Sequence, residues 1–186
     1  MTFSVDLFWS FRAPYSYLAT ARLVAMQRDF DVDIAVRPVY PIALRIPGFF
    51  KKVNPLWPPY LLRDCARIAD MNGIPFAWPS PDPIVQDFAN MEIAAEQPYI
   101  HRLTRLGVAA NRRGRGLAFI DEVSRLTFGG VKGWHDGEHL AQAASRAGLD
   151  LAALDAAITA DPAGHEAEIE GNEAAQKAAG HWGVPL

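Results

Sequence analysis

Residues 3–16 read Phe3-Ser4-Val5-Asp6-Leu7-Phe8-Trp9-Ser10-Phe11-Arg12-Ala13-Pro14-Tyr15-Ser16, and this run decides the fold. Its first half is aromatic and β-branched, which predicts a buried strand over 3–9 with imperfect alternation. Pro14 suits the first turn of a helix, where its missing N–H costs nothing. Tyr17, Leu18, Ala21, Leu23, Val24 and Ala25 supply an apolar helical face behind it, so a helix is predicted over 14–30. Residues 32–39 alternate again and predict a second strand. Strand, helix and strand at this spacing make a right-handed βαβ unit with parallel strands. The corner at Ala13-Pro14-Tyr15-Ser16 is where the first helix opens. Backbone N–H groups are unpaired there and partial positive charge collects, so a thiolate placed there is stabilised. The chain has no cysteine at this corner, so any thiol must arrive on a ligand.

Composition removes several function classes. Of 186 residues, half are hydrophobic and the formal net charge is −3, enough for one core and without the basic field that nucleic acid requires. No apolar run approaches the ~20 residues of a membrane helix, and Asp6 interrupts any signal-peptide core. One cysteine excludes an intramolecular disulfide framework. These features predict a soluble, cytoplasmic protein with no nucleic-acid or membrane partner.

Beyond the βαβ unit the character changes. Residues 41–59 are irregular and proline-rich, with the aromatic pairs Phe49-Phe50 and Leu56-Trp57. Helices are predicted over 60–71, ended by Asn72-Gly73, over 84–110 with a kink at Pro98, and over 117–128. Further helices are predicted over 137–147 behind an Asp136 cap and ahead of Gly148, over 151–160, and over 164–180. The chain then runs His181-Trp182-Gly183-Val184-Pro185-Leu186.

Three stretches taken together carry a resemblance. They are residues 6–19, from Asp6-Leu7-Phe8-Trp9 through Ala13-Pro14-Tyr15-Ser16; residues 60–69 with Gly73-Ile74-Pro75-Phe76; and Trp182-Gly183-Val184-Pro185. In their order and spacing the chain resembles the 2-hydroxychromene-2-carboxylate isomerases and the kappa-class glutathione transferases, within the larger DsbA-like group. The resemblance implies an α/β thioredoxin-like domain with an inserted all-α domain. Residues 1–40 and 165–186 would form the first and 41–164 the second, with the site in the cleft between them. It implies a cis proline at Pro185, and after it a β-hairpin and closing helix; a chain ending at Leu186 has two clear strands, so a further tail is expected. A homodimer is implied as well.

The resemblance also implies glutathione as cofactor and an unsaturated aromatic keto acid as substrate. The thiolate adds to the double bond, the bond rotates, and glutathione leaves. A glutathione-transferase-like conjugation and a non-catalytic glutathione or aromatic-ligand binder are the alternatives. The family carries a serine before the proline of the corner, and here that position is Ala13. Losing a hydroxyl that donates to a charged sulfur removes roughly 1.5–3 kcal/mol of thiolate stabilisation. Ser16, Ser10 and Arg12 are the nearest replacement donors and stand as the catalytic candidates. Ala13, Pro14, Tyr15, Asn54, Trp182, Val184 and Pro185 are the glutathione-binding candidates. Among them, Val184 and Pro185 would pair with the peptide through backbone, like an added strand. Trp9, Phe49 and Trp57 are the candidate walls of the substrate pocket, with Trp78 beside them. Lys51, Lys52 and Arg12 could meet ligand carboxylates, against the ordinary reading of such charges as solvated surface.

Three other features invite function and are read as structural. His135-Asp136-Gly137-Glu138-His139 matches the H-x-x-E-H zinc pattern letter for letter. That pattern needs both histidines on one helical face, and a helix starting at Asp136-Gly137 leaves His135 outside, so no metal is expected. Arg112-Arg113-Gly114-Arg115-Gly116 is a basic loop without interleaved aromatic residues to stack on bases. Cys65 falls on the apolar face of its helix, as an inert buried thiol does. With cysteine at neither position 13 nor 16, dithiol exchange is argued against.

Overall fold

The computed structural model describes residues 2–87 and 89–186. Strands β1 (Phe3–Trp9) and β2 (Val32–Pro38) run parallel, in the register Phe3↔Val32 to Trp9↔Pro38. Helix α1 (Pro14–Asp29) connects them. Its N-cap position, Ala13, is extended, with Pro14 opening the first turn and no side chain capping it. At the chain's end Leu186 and Phe8 exchange both backbone hydrogen bonds, at 2.9 and 3.3 Å. The segment after Pro185 thus joins β1 on the edge opposite β2, in antiparallel geometry.

The stretch expected to be irregular holds two short helices, α2 (Ile42–Arg45) and α3 (Phe49–Lys52), before α4 (Trp57–Met71). The helix expected over 84–110 is replaced in its first half. Strands β3 (Gln86–Asp87) and β4 (Glu92–Ile93) form a small antiparallel hairpin, and helix α5 (Ile100–Asn111) begins only after Pro98; residue 88 lies outside the described residues. The Gln97 side chain organises this loop. Its amide donates to Val85 O and Ala94 O and accepts from Val85 N, each at 2.8–2.9 Å. A residue before proline is biased away from the helical region, and the Gln97 side chain satisfies backbone groups a helix would otherwise pair.

Helices α6 (Gly116–Phe128), α7 (His139–Arg146), α8 (Leu151–Ala160) and α9 (Pro162–Ala178) follow. Asp136 does not cap α7, which starts two residues beyond Gly137, itself in the left-handed region with φ 53°. Asp150 and Asp161 cap α8 and α9, accepting from Ala153 N and Gly164 N. His135 lies outside α7 and pairs with Asp136. The basic loop is spent on neighbouring helices: Arg112 pairs with Glu168 and Asp161, Arg113 donates to Ala153 O, and Arg115 donates to Ala147 O.

The core lies where α1, α5 and α6 meet the sheet. Trp9, Phe11, Val36, Leu106, Phe119 and Ile120 are at or near zero exposure and belong to one cluster. That cluster draws on β1 and β2 and on α5 and α6, so both segments of the expected two-lobe division contribute to it. A second cluster sits under the start of α1, where the Tyr17, Phe76 and Phe128 rings stack and Tyr17 Oη donates to Pro75 O at 2.6 Å. This packing clamps α1 from both sides and fixes the direction in which its first turn faces. Among the described residues no helix is long and apolar enough to cross a membrane.

Candidate functional site

A cavity of about 640 Å³ opens against the first turn of α1, within the size range of small-molecule sites. Three parts of the chain build most of it, and Trp78, Gln86 and Met91 complete the wall. The strand-to-helix corner contributes Ser10, Arg12, Ala13, Pro14 and Tyr15; the stretch from Pro41 through α4 contributes Arg45, Phe50 and Trp57; residues 181–185 close the third side. The Val184–Pro185 peptide is cis. The amides of Tyr15 and Ser16 stand in the first turn, where no intrahelical partner exists and no side chain caps them. Val184 N–H and C=O have no hydrogen-bond partner among the described residues. The corner and the cis-proline segment thus face one space with open backbone groups on both sides.

Two arginines line this space and no aspartate or glutamate does, among the described residues. Arg12 is fixed. Its guanidinium forks onto Asp82, Nε at 2.9 Å and Nη2 at 2.8 Å, and lies over the Trp78 and Phe50 rings at 5.1 and 6.0 Å. Asp82 also accepts from Trp78 Nε1 and Ile84 N, in the loop following the cis Ser80–Pro81 peptide. Arg45 donates only to neutral acceptors: Tyr40 O, Gln176 Oε1 and Trp182 O. Burial lowers its pKa from the ordinary value, and Glu173 at longer range works the other way.

The hydroxyls of the corner differ sharply. Tyr15 Oη donates to Asp64 at 2.7 Å; burial first, and that bond second, raise its pKa well above the phenol range. Its proton is therefore committed to Asp64. Ser10 forms part of the wall, is almost wholly buried, and its hydroxyl has no partner among the described residues.

Several expected site residues lie elsewhere. Ser16 is fully buried and does not line the cavity, because the turn of about 100° per residue that sends Tyr15 into the cleft sends Ser16 inward. Trp9 has zero exposure and packs edge-on against Phe11 in the core, so it is no pocket wall. Asn54 is exposed and closes a local turn by accepting from Leu56 N at 2.9 Å. Phe49 backs the wall through Trp57 and Trp182, while its neighbour Phe50 faces the cavity. Lys51 and Lys52 are exposed and off the wall, Lys51 beside Glu92 at 3.5 Å. Ser10, Arg12, Ala13, Pro14, Tyr15, Trp57, Trp182, Val184 and Pro185 are brought together. Arg45, His181 and Asp82 were missed. A lone arginine inside the apolar run Ile42-Ala43-Leu44-Arg45-Ile46 was the available signal for the first.

Comparison with known proteins accords with this geometry. A search of curated proteins finds no match. A solved 2-hydroxychromene-2-carboxylate isomerase superposes with a TM-score of 0.70 at 19% identity, over 98% of this chain and 83% of that one. A probable DsbA oxidoreductase from Streptomyces coelicolor gives 0.62 at 22%, over 98% and 78%. The cytosolic disulfide reductase DsbM from Pseudomonas aeruginosa, solved with GSH, gives 0.64 at 18%, over 98% and 83%. At these identities the likeness is one of fold. The model of the DSBA-like thioredoxin domain matches residues 4–186, nearly the whole length, and the chain belongs to that family.

Proposed function

We propose that this chain binds glutathione in the cleft and uses its sulfur to isomerise, or to conjugate, an unsaturated aromatic acid. One observation carries the reading. The cavity joins the open amides of α1 to the unpaired backbone of Val184, yet no cysteine stands at the corner. The lone Cys65 is fully buried in the second cluster. Its pKa is pushed up to about 11, chiefly by burial, which makes it a poor nucleophile. Dithiol exchange thus has no partner pair here, whereas a peptide thiol fits the site.

Glutathione, when bound, supplies the thiolate that adds to and leaves the acceptor's double bond. The chain's own residues position and stabilise. Val184 N–H and C=O would pair with the cysteinyl unit like an added strand. The amide of Tyr15, with the positive end of α1, faces the sulfur and favours its charged form. Ser10 is the hydroxyl left to assist them in place of the absent serine at position 13. Phe50, Trp57 and Trp182 give the aromatic acceptor its apolar wall, and Arg12, neutralised by Asp82, stiffens the cleft. Supporting this reading, one neighbour of the same fold is a 2-hydroxychromene-2-carboxylate isomerase, and another, a disulfide reductase, was solved with GSH. A reducing, cytoplasmic setting and a homodimer belong to the same proposal, as does a cleft between a sheet lobe (1–40 and 165–186) and a helical lobe (41–164).

Ala13 favours a second reading, a glutathione binder without turnover. Calorimetric titration with glutathione in buffers of different ionisation enthalpy tests the first step. Binding with proton release is expected, because the thiol ionises on entry. Absence of binding at millimolar glutathione overturns both readings. Turnover of 2-hydroxychromene-2-carboxylate then separates enzyme from binder.

A further inference from the structure

The geometry points to Arg45 as a carboxylate anchor, the group that holds the acid function of a ligand in the cleft. The inference deepens the glutathione reading and takes from it only the place where the ligand lies. Arg45 ends the short helix α2, which follows Pro41 and turns Ile42, Ala43 and Arg45 onto the cavity wall. Three of its N–H groups are used: Nε to Tyr40 O at 2.6 Å, Nη1 to Gln176 Oε1 at 2.6 Å and Nη2 to Trp182 O at 3.0 Å. A guanidinium has five such donors, so two are unspent. All three acceptors are neutral, and no carboxylate lies within ion-pair distance of Arg45 among the described residues. The nearest acid to act on it, Glu173, is engaged by Tyr40 N at 3.1 Å.

The contrast with Arg12 sharpens the point. Both guanidinium groups reach the same cavity wall, but Arg12 spends its fork on Asp82 and brings no net charge. Arg45 brings a full positive charge into a wall that is otherwise mostly apolar and aromatic. A partly buried cation without a counter-ion is unfavourable until an anion joins it, and a planar fork suits a carboxylate in particular. The bonds to Tyr40, Gln176 and Trp182 hold the fork in place beforehand. Gln176 in turn donates to Gly183 O at 2.7 Å, tying the anchor to the segment that presents Val184. The ligand class is therefore a carboxylic acid lying along the apolar wall. The carboxylate held is either the glycyl one of glutathione or that of a flat, unsaturated acceptor.

Four probes distinguish these sources: glutathione, glutathione monoethyl ester, trans-cinnamate and trans-cinnamamide. Each is titrated calorimetrically into the wild-type chain and into Arg45→Met. In at least one acid/neutral pair the wild type should prefer the acid by ~10-fold or more, the value of one charge-assisted hydrogen bond. That preference should collapse to near unity in Arg45→Met. The pair that responds identifies the source of the carboxylate. No preference in the wild type, or a preference unchanged in the variant, overturns the assignment. Should Arg45→Met not fold, Arg45→Lys serves: it keeps the charge, but its three donors are all claimed by the three neutral acceptors, so the preference must still fall several-fold. If only the cinnamate pair binds and discriminates, Arg45 stands while the glutathione reading fails. If glutathione binds and neither pair discriminates, the reverse holds. If no probe binds, both fail.

Discussion

Substituting Ala13→Ser restores a hydroxyl at the mouth of α1, and its effect follows from two properties of the position. Ala13 is the N-cap residue, with φ −116° and ψ 104°, the extended geometry from which a serine oxygen accepts from the N2 or N3 amide. It also lines the cavity, so the hydroxyl proton of that serine is free to point at a bound sulfur. The first property raises stability by ~0.5–2 kcal/mol, about 2–4 °C in Tm for each kcal/mol in a chain of this size. The second adds one hydrogen bond to a charged group, roughly 1.5–3 kcal/mol, or about 1–2 units off the thiol pKa. The two are not independent. The cap competes for the Tyr15 amide that would otherwise face the sulfur, so the net drop belongs at the lower end, about 1 unit. Through linkage, glutathione should then bind ~10-fold tighter at a pH where it is fully ionised, but not where the bound thiol is protonated. Thermal melts report the cap, and the ultraviolet absorbance of the thiolate during a pH titration of the complex reports the sulfur. A variant that melts higher while the thiol pKa stays unchanged would show that the sulfur does not lie at this corner. A variant that melts no higher would show that the helix opening is not as described.

Three further outcomes test the frame around the site. Asp82→Ala leaves Arg12 partly buried without its counter-ion, at side-chain exposures of 8% and 12% for the pair; a loss of ~3–5 kcal/mol is expected in denaturant unfolding, and a loss below about 1 kcal/mol would mean that water reaches Arg12. Cys65, buried and with its pKa pushed up to about 11, should resist alkylation in the folded protein at mildly alkaline pH and react fully in denaturant; mass spectrometry showing stoichiometric labelling of the folded chain would contradict its placement. Burial raises the Glu173 pKa above the ordinary carboxyl value, so the stability this group contributes is complete while it is protonated and is lost as pH rises through its folded pKa. Glu173→Gln should therefore match the wild type in acid and exceed it at neutral pH, as read from unfolding midpoints across that range.

The parts of the molecule legible in the sequence are those fixed by neighbours in the chain. β1, α1 and β2 came from alternation, a proline at the first turn and an apolar face, and all three fall within a residue or so of their predicted bounds. Ala13 to Tyr15 and Trp182 to Pro185 are each a short motif at an element boundary, but that they share one cavity is an expectation carried by the family resemblance and not by local order. The failures have distant causes. Residues 84–98 carry enough apolar residues to suggest a helix, but Gln97 reaches back twelve positions to Val85 and holds them as a loop. Arg45 reads locally as a charge in a disordered-looking stretch; its acceptors on Gln176 and Trp182 lie 131 and 137 positions away. Ser16 and Trp9 show the same limit from the other side. Both have suitable chemistry and the right neighbourhood, and only the rotation of a helix and the pleat of a strand decide that they point inward.

A site that borrows its sulfur is organised differently from one that owns it. A cysteine built into the corner is always present, and the protein need only set its pKa. A borrowed thiol is present only as long as the remainder of its carrier is held, so affinity and reactivity are supplied by different groups. In this cleft they are spatially separate. The groups suited to stabilise charge on a sulfur are the amides of the first turn, on the floor at Ala13 to Tyr15. The groups suited to hold a carrier or an acceptor are Val184, Arg45 and the aromatic wall, on the two facing sides. Under the proposed reading, such separation would let alanine at position 13 weaken activation while leaving retention intact. On the same reading the apolar wall would accept a flat hydrophobic body, and the one uncompensated cation would fix which way round that body sits. Orientation matters more when both reacting partners are ligands, since neither is held to the chain by a covalent bond and the barrier falls only if both are positioned at once.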